Sequence, residues 1–439
     1  MENLHEIRKR MENMLAPVLL PLLQTVAGQA SELDLPLYLV GGSVRDLLLG
    51  RPATDIDLVV EGDAIRLGRA LTKKYGGRLT VHTRFGTAQW FMPQTLSPAI
   101  IGLRALDLTS SRWETYKQPA ALPTVHLGSL ADDLRRRDFS CNALALRLDG
   151  GHFGELHDEV GGLDDLQNRL LRVLHPLSFI DDPTRLFRLI RYEGRYGFRI
   201  TAGTLALIPE ALPGINLLSA ERVRHELDLV LEEENVTAIL EHMAVLGIIT
   251  AVNPALDWND AIRARFENAQ LPTPGLDRHP ARLLLGWCLW LMSVPERWLE
   301  SINRRLNFDA RTHDVLSGAS TLLAGCQSLS GIEPSRVVAA LDAIPLAAVW
   351  SVFRALPPGP VRQRLSDYLE TWRHVKPKTD GNDLRSKGLP PGPSYQTILG
   401  TLRDAWLDGK IKTAEDEKIL LEKLLRRNGQ PATPKSTRC

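Results

Sequence analysis

The sequence contains few cysteines and no long hydrophobic run. Its four cysteines among 439 residues are scattered, and no two have the spacing of a metal site or a redox motif. We therefore expect neither a disulfide framework nor a zinc site. The longest apolar run, LLLGWCLWLM at residues 283–292, is half the length of a membrane span, which needs about 20 residues. The sequence thus predicts no membrane partner and a cytoplasmic protein.

An excess of charge of one sign is also missing. The chain has 53 lysines and arginines against 52 aspartates and glutamates, which gives a formal net charge of +1. Composition alone therefore gives no indication of a nucleic-acid partner. A neutral total can still hide a basic surface opposite an acidic site, so the charges must be examined locally.

The two parts of the chain differ in their hydrophobic patterns. Up to about residue 150, short runs rich in Val, Leu, Thr and aromatic residues predict strands of an α/β domain. The predicted strands are LPLYLV, DIDLVV, RLTVHT, GTAQWFM, LRALDLT and ALALRL. Residues 1–31 show helical spacing, and beyond residue 151 helical periodicity predominates. The last two thirds should be nearly all helix.

The stretch LVGGSVRDLLLG predicts a strand, a tight turn and a helix. Gly41 and Gly42 allow the turn, and the backbone N–H groups at the helix start would converge on one point suited to a phosphate. The competing interpretation is plain turn geometry, because this is neither a GxGxxG motif nor a P-loop.

Asp55 and Asp57 follow this stretch on a predicted strand. Residues two apart on a strand face the same side, so the two carboxylates should project together while Ile56 points to the core. Their mutual repulsion favours a shared Mg²⁺, a hard cation that prefers oxygen ligands. Asp107, on a later predicted strand, could complete the site or be a surface residue at a strand end. An isolated Asp-x-Asp is more typical of a solvated edge strand.

Two arginine-rich stretches predict an anionic ligand. Arg136 and Arg137 lie in DDLRRRDFSCNALAL, although adjacent arginines are usually a solvated helix face. In FIDDPTRLFRLIRY, a helix should begin near Asp182, and three arginines then follow along one face without matching acids: Arg185, Arg188 and Arg191. An aspartate accepting from an exocyclic amine and an arginine donating to a ring nitrogen would select adenine and cytosine. An N-terminal capping aspartate with surface arginines is the alternative.

Four of these motifs together resemble a known family. GGSVRDLLLG with DID, then RRDFSCNALAL, DDPTRLFRLIRY and SAERVRHEL are similar, in this order, to the signature motifs of the bacterial-type (class II) tRNA nucleotidyltransferase and poly(A) polymerase family. The resemblance implies an α+β fold. A polymerase-beta-like nucleotidyltransferase head with a small mixed sheet precedes an all-α neck, body and tail. The corresponding ranges are 1–30 for an N-terminal helix, 31–150 for the head, 151–240 for the neck, 241–375 for the body and 376–439 for a tRNA-binding tail with a disordered end.

The resemblance also implies roles for individual residues. Asp55 and Asp57 would hold catalytic Mg²⁺, with Asp107 as the candidate third carboxylate. Asp182 and Arg185 would read the incoming base. The remaining candidates would contact the sugar and phosphates of the nucleotide: Gly41, Gly42, Arg45, Arg136, Arg137, Arg188 and Arg191. Asp181 stands where the family usually has glutamate, which leaves both base-reading positions intact.

The implied reaction is template-independent addition of CCA, or only the terminal A, to tRNA 3′ ends from CTP and ATP. The segment between Asp107 and the arginine motif, SSRWETYKQPAALPTVHLGSL, is similar to a flexible loop that helps the family switch from C to A addition. A poly(A) polymerase that extends RNA 3′ ends is the alternative activity. A non-catalytic RNA-binding protein is the alternative of another class. A homodimer is one option for the assembly.

Overall fold

The computed structural model describes residues 4–15, 19–52, 56–93, 96, 104–115, 119–121, 123–269 and 281–428, with only the backbone for Leu4, Arg427 and Asn428. The chain folds into two compact units, Met1–Pro254 and Ala255–Cys439. The finer division into head, neck, body and tail stays a prediction. The C-terminal end that the sequence predicts to be disordered lies outside the described residues.

A seven-stranded mixed sheet forms the centre of the first unit. Its strand order is β3-β4-β5-β2-β1-β8-β9. Strands β2 and β5 run parallel, whereas the other neighbours in the sheet are antiparallel. Two smaller ladders pair β6 with β7 and β10 with β11. The strands are β1 Leu37–Val40, β2 Asp57–Val60, β3 Arg78–His82, β4 Thr87–Phe91, β5 Ala105–Ser110, β6 Arg112–Thr115, β7 Thr124–Leu127, β8 Leu144–Arg147, β9 Glu155–Asp158, β10 Leu170–Leu171 and β11 Arg199–Ile200.

All six strands predicted from the sequence are present. The central strand β1 is buried along its whole length, as its apolar sequence LYLV requires for a strand covered on both faces. The helix that contains Gly68 packs closely against β3, because a Cβ on Gly68 would lie only 2.7 Å from Leu79 Cδ1. Beyond residue 151 the described chain is nearly all helix, as expected, and the exceptions are strand β9 and the β10–β11 ladder. Such short strands carry too few residues for a periodicity to be recognised.

The flexible loop expected after Asp107 is partly ordered as a hairpin. Strands β6 and β7 pair antiparallel from Arg112 opposite Leu127 to Thr115 opposite Thr124. Residues 116–118 and 122, between these strands, lie outside the described residues. We refer to β6, β7 and the described residues 119–121 between them as the β6–β7 hairpin.

Thirteen described α-helices complete the first unit. The single N-terminal helix expected over residues 1–31 is two helices, α1 and α2. The helices are α1 Leu4–Met14, α2 Leu19–Ser31, α3 Gly42–Leu48, α4 Ala64–Tyr75, α5 Leu130–Arg135, α6 Gly162–Gln167, α7 Ser178–Asp181, α8 Thr184–Tyr196, α9 Ala202–Ala206, α10 Ile208–Ala211, α11 Ala220–Leu231, α12 Val236–Val245 and α13 Ile248–Val252.

All the described secondary structure of the second unit is helical. Its helices are α14 Asp260–Ala269, α15 Arg282–Leu291, α16 Glu296–Leu306, α17 Ala310–Gly325, α18 Pro334–Asp342, α19 Leu346–Ala355, α20 Pro360–Glu370, α21 Gly381–Ser386, α22 Pro393–Leu407 and α23 Ala414–Asn428. Within the described part of the chain, no single helix has the length and apolar composition of a membrane span. The pair α18 and α19 passes that test only when joined across a bend of 118°.

Candidate active site

The turn after β1 needs glycine at position 41. Gly41 has a φ of 70°, a conformation that residues with a Cβ rarely adopt. A Cβ there would also lie 2.6 Å from Arg137 Nη1 and 3.8 Å from Asp57 Oδ2. Helix α3 begins at the next residue, Gly42. The turn therefore brings its backbone close to a guanidinium and a carboxylate at the same time.

Two carboxylates lie next to each other on the parallel strands β2 and β5. Asp57 on β2 and Asp107 on β5 are direct partners in the ladder, and both are exposed while their neighbours Leu58 and Leu108 are buried. Strand neighbours in register present their side chains on the same face, about 5 Å apart along the sheet. The structure thus places Asp107 beside Asp57. We call these two residues the sheet wall.

Asp55 lies outside the described residues, so its position relative to the sheet wall stays a prediction. Ile56 is buried, as expected from its place between the two aspartates. Among the described residues, no group of three or more His, Cys, Asp or Glu side chains is arranged as a metal site. The donor set of the sheet wall nevertheless fits a hard cation, because two like-charged carboxylates in register are most stable around a shared positive charge.

Arg136 and Arg137 follow α5 and share one buried acid. Arg136 Nη2 lies 2.6 Å from Asp133 Oδ1, and Arg137 Nη2 lies 3.0 Å from Asp133 Oδ2. Arg136 also donates to Glu114 on β6 at 3.2 Å. Burial alone would raise the pKa of Asp133, but the two guanidinium groups lower it. Arg135 points away, with 61% of its side chain exposed.

Arg188 on α8 is held by the buried carboxylate of Asp138. Its Nε and Nη2 donate to Asp138 Oδ2 at 2.9 and 2.7 Å, while Asn142 Nδ2 donates to Oδ1 at 3.0 Å. Burial opposes ionisation of this group, yet Arg188 and Asn142 lower the pKa of Asp138 to about 2. The same contact raises the pKa of Arg188 against the effect of burial. This pair joins α8 to the segment that follows α5.

Arg191 lies one turn further along α8 and is buried among acids of the neighbouring helices. Its guanidinium is 3.7 Å from Glu226 and 3.8 Å from Glu233. Burial raises the pKa of Glu226, and Arg191 opposes that effect. The expectation of a row of arginines without matching acids was therefore wrong, because the acids come from positions distant in sequence. We call Arg185, Arg188 and Arg191 the helical wall.

Asp182 and Arg185 lie where α8 begins, as the sequence predicted. Asp182 Oδ1 accepts from Thr184 N at 3.2 Å, from Thr184 Oγ1 at 2.7 Å and from Arg222 Nη2 at 2.7 Å. Arg185 donates to Ser178 Oγ and to the carbonyl of Arg136, both at 2.7 Å. A guanidinium has five N–H donors, so these two bonds leave donors for a ligand.

Arg45 is more deeply embedded than a simple phosphate contact requires. It is 4% exposed and donates to Asp46, to Asn142 Oδ1 at 2.6 Å and to the hydroxyl of Tyr196. Its guanidinium also lies 4.3 Å from the centroid of the Tyr196 ring. Burial works against the charge, but the carboxylate of Asp46 raises the pKa of Arg45 overall. The side chain thus fixes α3 against α8 while it remains at the site.

One cavity of about 920 Å³ collects these residues. Of the site residues that the sequence predicted, those that line it are Gly41, Gly42, Arg45, Asp57, Asp107, Arg136, Arg137, Asp182, Arg185, Arg188 and Arg191. Every predicted site residue except the undescribed Asp55 is therefore at this cavity. Its volume is within the range of ligand sites in proteins, about 300–1,000 Å³.

Sequence reasoning missed several residues of the same cavity. They are Arg112, Glu114, Asp138, Asn142, Tyr192, Tyr196, Arg222 and Glu226. Arg222 and Glu226 lie in SAERVRHEL, and Asp138 and Asn142 lie in RRDFSCNALAL. The motifs thus contained the signal, although nothing in their spacing showed which side chains would point inward.

Comparisons with known proteins agree with this geometry. The model of the poly A polymerase head domain matches residues 37–172, and that of a probable RNA and SrmB-binding site of polymerase A matches residues 197–259. The A-adding tRNA nucleotidyltransferase of Halalkalibacterium halodurans is 31% identical, over 90% of each chain. The A-adding enzyme of Geobacter sulfurreducens is 33% identical over 90% of this chain, which spans about half of that relative, 46%. The CC-adding enzyme of Deinococcus radiodurans is 30% identical over 92% of each chain.

Solved structures show the same likeness. A CCA-adding enzyme in an apo form superimposes with a TM-score of 0.82 at 28% identity, over 96% of this chain and 98% of the other. The Thermotoga maritima CCA-adding enzyme complexed with tRNA gives a TM-score of 0.78 at 27% identity, over 96% and 98%. The head-domain match and these relatives place the chain in the class of nucleotidyltransferases. The chain belongs to the tRNA nucleotidyltransferase and poly(A) polymerase family.

Proposed function

We propose that this protein transfers nucleotides from ATP and CTP to the 3′ hydroxyl of tRNA with the help of Mg²⁺. The observation that carries the proposal is the cavity itself. The sheet wall supplies acids in register, and the helical wall supplies arginines together with Asp182. A nucleoside triphosphate needs both, because its phosphates carry negative charge and its base needs specific hydrogen-bond partners.

The reaction forms one bond and breaks another. The 3′ hydroxyl gives up its proton to water and its oxygen attacks the α-phosphorus, while the bond from that phosphorus to the oxygen that bridges the α- and β-phosphates breaks and pyrophosphate leaves. Mg²⁺ held by Asp57, Asp55 and Asp107 would supply the positive charge that stabilises the attacking and leaving oxygens.

The helical wall would position the nucleotide. Arg188 and Arg191 are fixed by buried acids, so their guanidinium groups need little reorganisation when a triphosphate arrives. Asp182 and Arg185 would accept from and donate to the Watson–Crick edge, a pairing that suits adenine and cytosine. A tRNA substrate would place the reaction in the cytoplasm.

Addition of the terminal A is the specific reaction we propose first. Curated relatives named A-adding enzymes match 90% of the chain at 31% and 33% identity. Addition of the whole CCA end is the second candidate, favoured by the TM-score of 0.82 with a CCA-adding enzyme.

Labelled ATP and CTP distinguish these reactions. The substrates are transcripts of one tRNA that end at the discriminator base, after C and after CC, together with an unstructured RNA. Incorporation of A only, and only after CC, is the expected result. Addition of C, C and A to the bare end would establish the second candidate. Long A tracts on unstructured RNA would establish a poly(A) polymerase, and no transfer with Mg²⁺ present would overturn the proposal.

A further inference from the structure

We propose that Arg222 is a positioning residue for base selection, because its forked guanidinium orients Asp182 and ties it to the β6–β7 hairpin. Arg222 lies on α11, distant in sequence from both groups. Its Nη2 donates to Asp182 Oδ1 at 2.7 Å and its Nη1 donates to the carbonyl of Ala120 at 3.1 Å. The inference rests on the proposed function, since it assigns the carboxylate of Asp182 to the incoming base.

The contacts of Asp182 determine which of its oxygens is available. The backbone N–H and the hydroxyl of Thr184 and the guanidinium of Arg222 all donate to Oδ1. Among the described residues, no hydrogen-bond donor reaches Oδ2. A carboxylate anchored through one oxygen cannot rotate freely. Oδ2 is thus left as the acceptor for an exocyclic amine, in an orientation that Arg222 helps to fix.

The second bond of Arg222 reaches a backbone segment with an unfavourable conformation. Ala120 has a φ of 61°, in the left-handed region that a residue with a Cβ rarely adopts, and it is 7% exposed. Such a conformation persists only where surrounding contacts hold it. The Arg222 bond to the Ala120 carbonyl is one of those contacts, so the guanidinium stabilises the segment that leads into β7.

One side chain therefore connects two parts of the cavity wall. Arg112 and Glu114 of the β6–β7 hairpin also line the cavity, so a shift of the hairpin changes the space beside the base-reading residues. A planar guanidinium makes the two bonds from separate nitrogen atoms, whereas a lysine ammonium has all its donors on one nitrogen atom. Loss of the Arg222 guanidinium should therefore increase hydrogen exchange in the β6–β7 hairpin and also lower the preference for the correct base.

The experiment compares the wild-type protein with Arg222→Ala, Arg222→Lys and the control Arg224→Ala. Arg224 lies on the same helix and is not among the described residues that line the cavity. Two experiments are made on each protein. The first measures kcat and KM for all four nucleoside triphosphates on tRNA, and the second measures hydrogen exchange of the backbone amides in residues 112–127 without nucleotide. Thermal melting confirms that each variant is folded.

Arg222→Ala should lower the preference in kcat/KM for the correct nucleotide by about tenfold, with less than about a threefold change in triphosphate KM. Hairpin amides should exchange faster in Arg222→Ala and in Arg222→Lys, and at the wild-type rate in Arg224→Ala. Arg222→Lys should keep part of the base preference, since an ammonium can still contact Asp182. If Arg222→Ala does not fold, the measurements on Arg222→Lys decide whether the proposal holds.

Unchanged base preference in a folded Arg222→Ala protein would overturn the positioning role. Unchanged exchange of the hairpin, or equal effects in Arg224→Ala, would overturn the connection to Ala120. Failure of the proposed function looks different, because the wild-type protein would then transfer no nucleotide at all. The exchange comparison would still show whether Arg222 holds the hairpin.

Discussion

The sheet wall and the helical wall of the cavity hold their charges in opposite ways. Asp57 and Asp107 are exposed, adjacent and of the same sign. Arg185 and Arg191 of the helical wall are buried and Arg188 is partly buried, and Arg188 and Arg191 are matched by acids from other segments. The difference indicates that the helical wall is part of what stabilises the fold, and we propose that the sheet wall serves the ligand. Substitutions in the sheet wall should therefore lower activity without lowering stability, whereas substitutions in the helical wall should lower both.

The largest expected effect concerns the sheet wall. Asp57→Ala should lower nucleotide transfer by at least about a hundredfold, because an electrostatic group at the reacting phosphate is lost. The free energy of unfolding should change by less than about 0.5 kcal/mol, since the side chain is exposed. Transfer assays and chemical denaturation measure the two quantities, and a gel shift should show RNA binding largely intact.

Asp55→Ala should behave like Asp57→Ala. The control is Asp164→Ala, an exposed carboxylate in the first turn of α6, which should keep full activity. Full activity of either Asp55→Ala or Asp57→Ala would show that the metal assignment is wrong.

The next effect concerns stability at the helical wall. Arg188→Met leaves the buried carboxylate of Asp138 without its main counter-charge, and we expect a loss of about 2–3 kcal/mol in the free energy of unfolding. Urea denaturation measures this loss. The matched control is Arg135→Met, which removes an exposed guanidinium and should cost less than about 0.5 kcal/mol. Equal stabilities for the two variants would contradict the contrast between the walls.

A smaller effect is expected on the choice of base. Arg185→Ala should reduce discrimination between ATP and the incorrect nucleotides by about 10- to 100-fold, the value of one lost specific hydrogen-bond contact. Triphosphate binding should weaken less than discrimination. The four nucleotides are their own controls in this assay. A uniform loss across all four would show that Arg185 supports the fold through Ser178 and the Arg136 carbonyl rather than reading the base.

The last expected effect is a pH dependence that comes from the helical wall. The pKa of Asp138 is about 2 in the folded protein and about 3.9 in an unfolded chain. Its ionised form therefore stabilises the fold above about pH 4, and this contribution is lost as the pH falls towards 2. Asp138→Asn should flatten the dependence of the free energy of unfolding on pH within that window. A slope identical to that of the wild-type protein would contradict the assignment.

The sequence predicted the parts of the site that depend on local pattern. Strand periodicity located β2 and β5, and the Gly-Gly turn and the start of α8 were recognised from their composition. The pairing of Asp57 with Asp107 depends on the strand order, which periodicity does not contain. In the same way, Asp138 and Glu226 could not be assigned to Arg188 and Arg191, because tertiary packing alone brings them together. The β6–β7 hairpin was missed because a flexible loop was expected at a position where two strands of four residues pair.

The parallel pairing of β2 with β5 has a consequence for how the protein folds. These strands are separated by α4 and by the β3–β4 hairpin, and β1 pairs with β8 across about a hundred residues, Tyr38 opposite Arg147. Pairings between distant segments require large loops to close before any contact is gained, and they slow folding. The β3–β4 hairpin and the helices can form early, whereas the carboxylates of Asp57 and Asp107 become neighbours only when β2 pairs with β5. A nascent chain should thus bring Asp57 and Asp107 together only after β5 has been synthesised and has paired with β2.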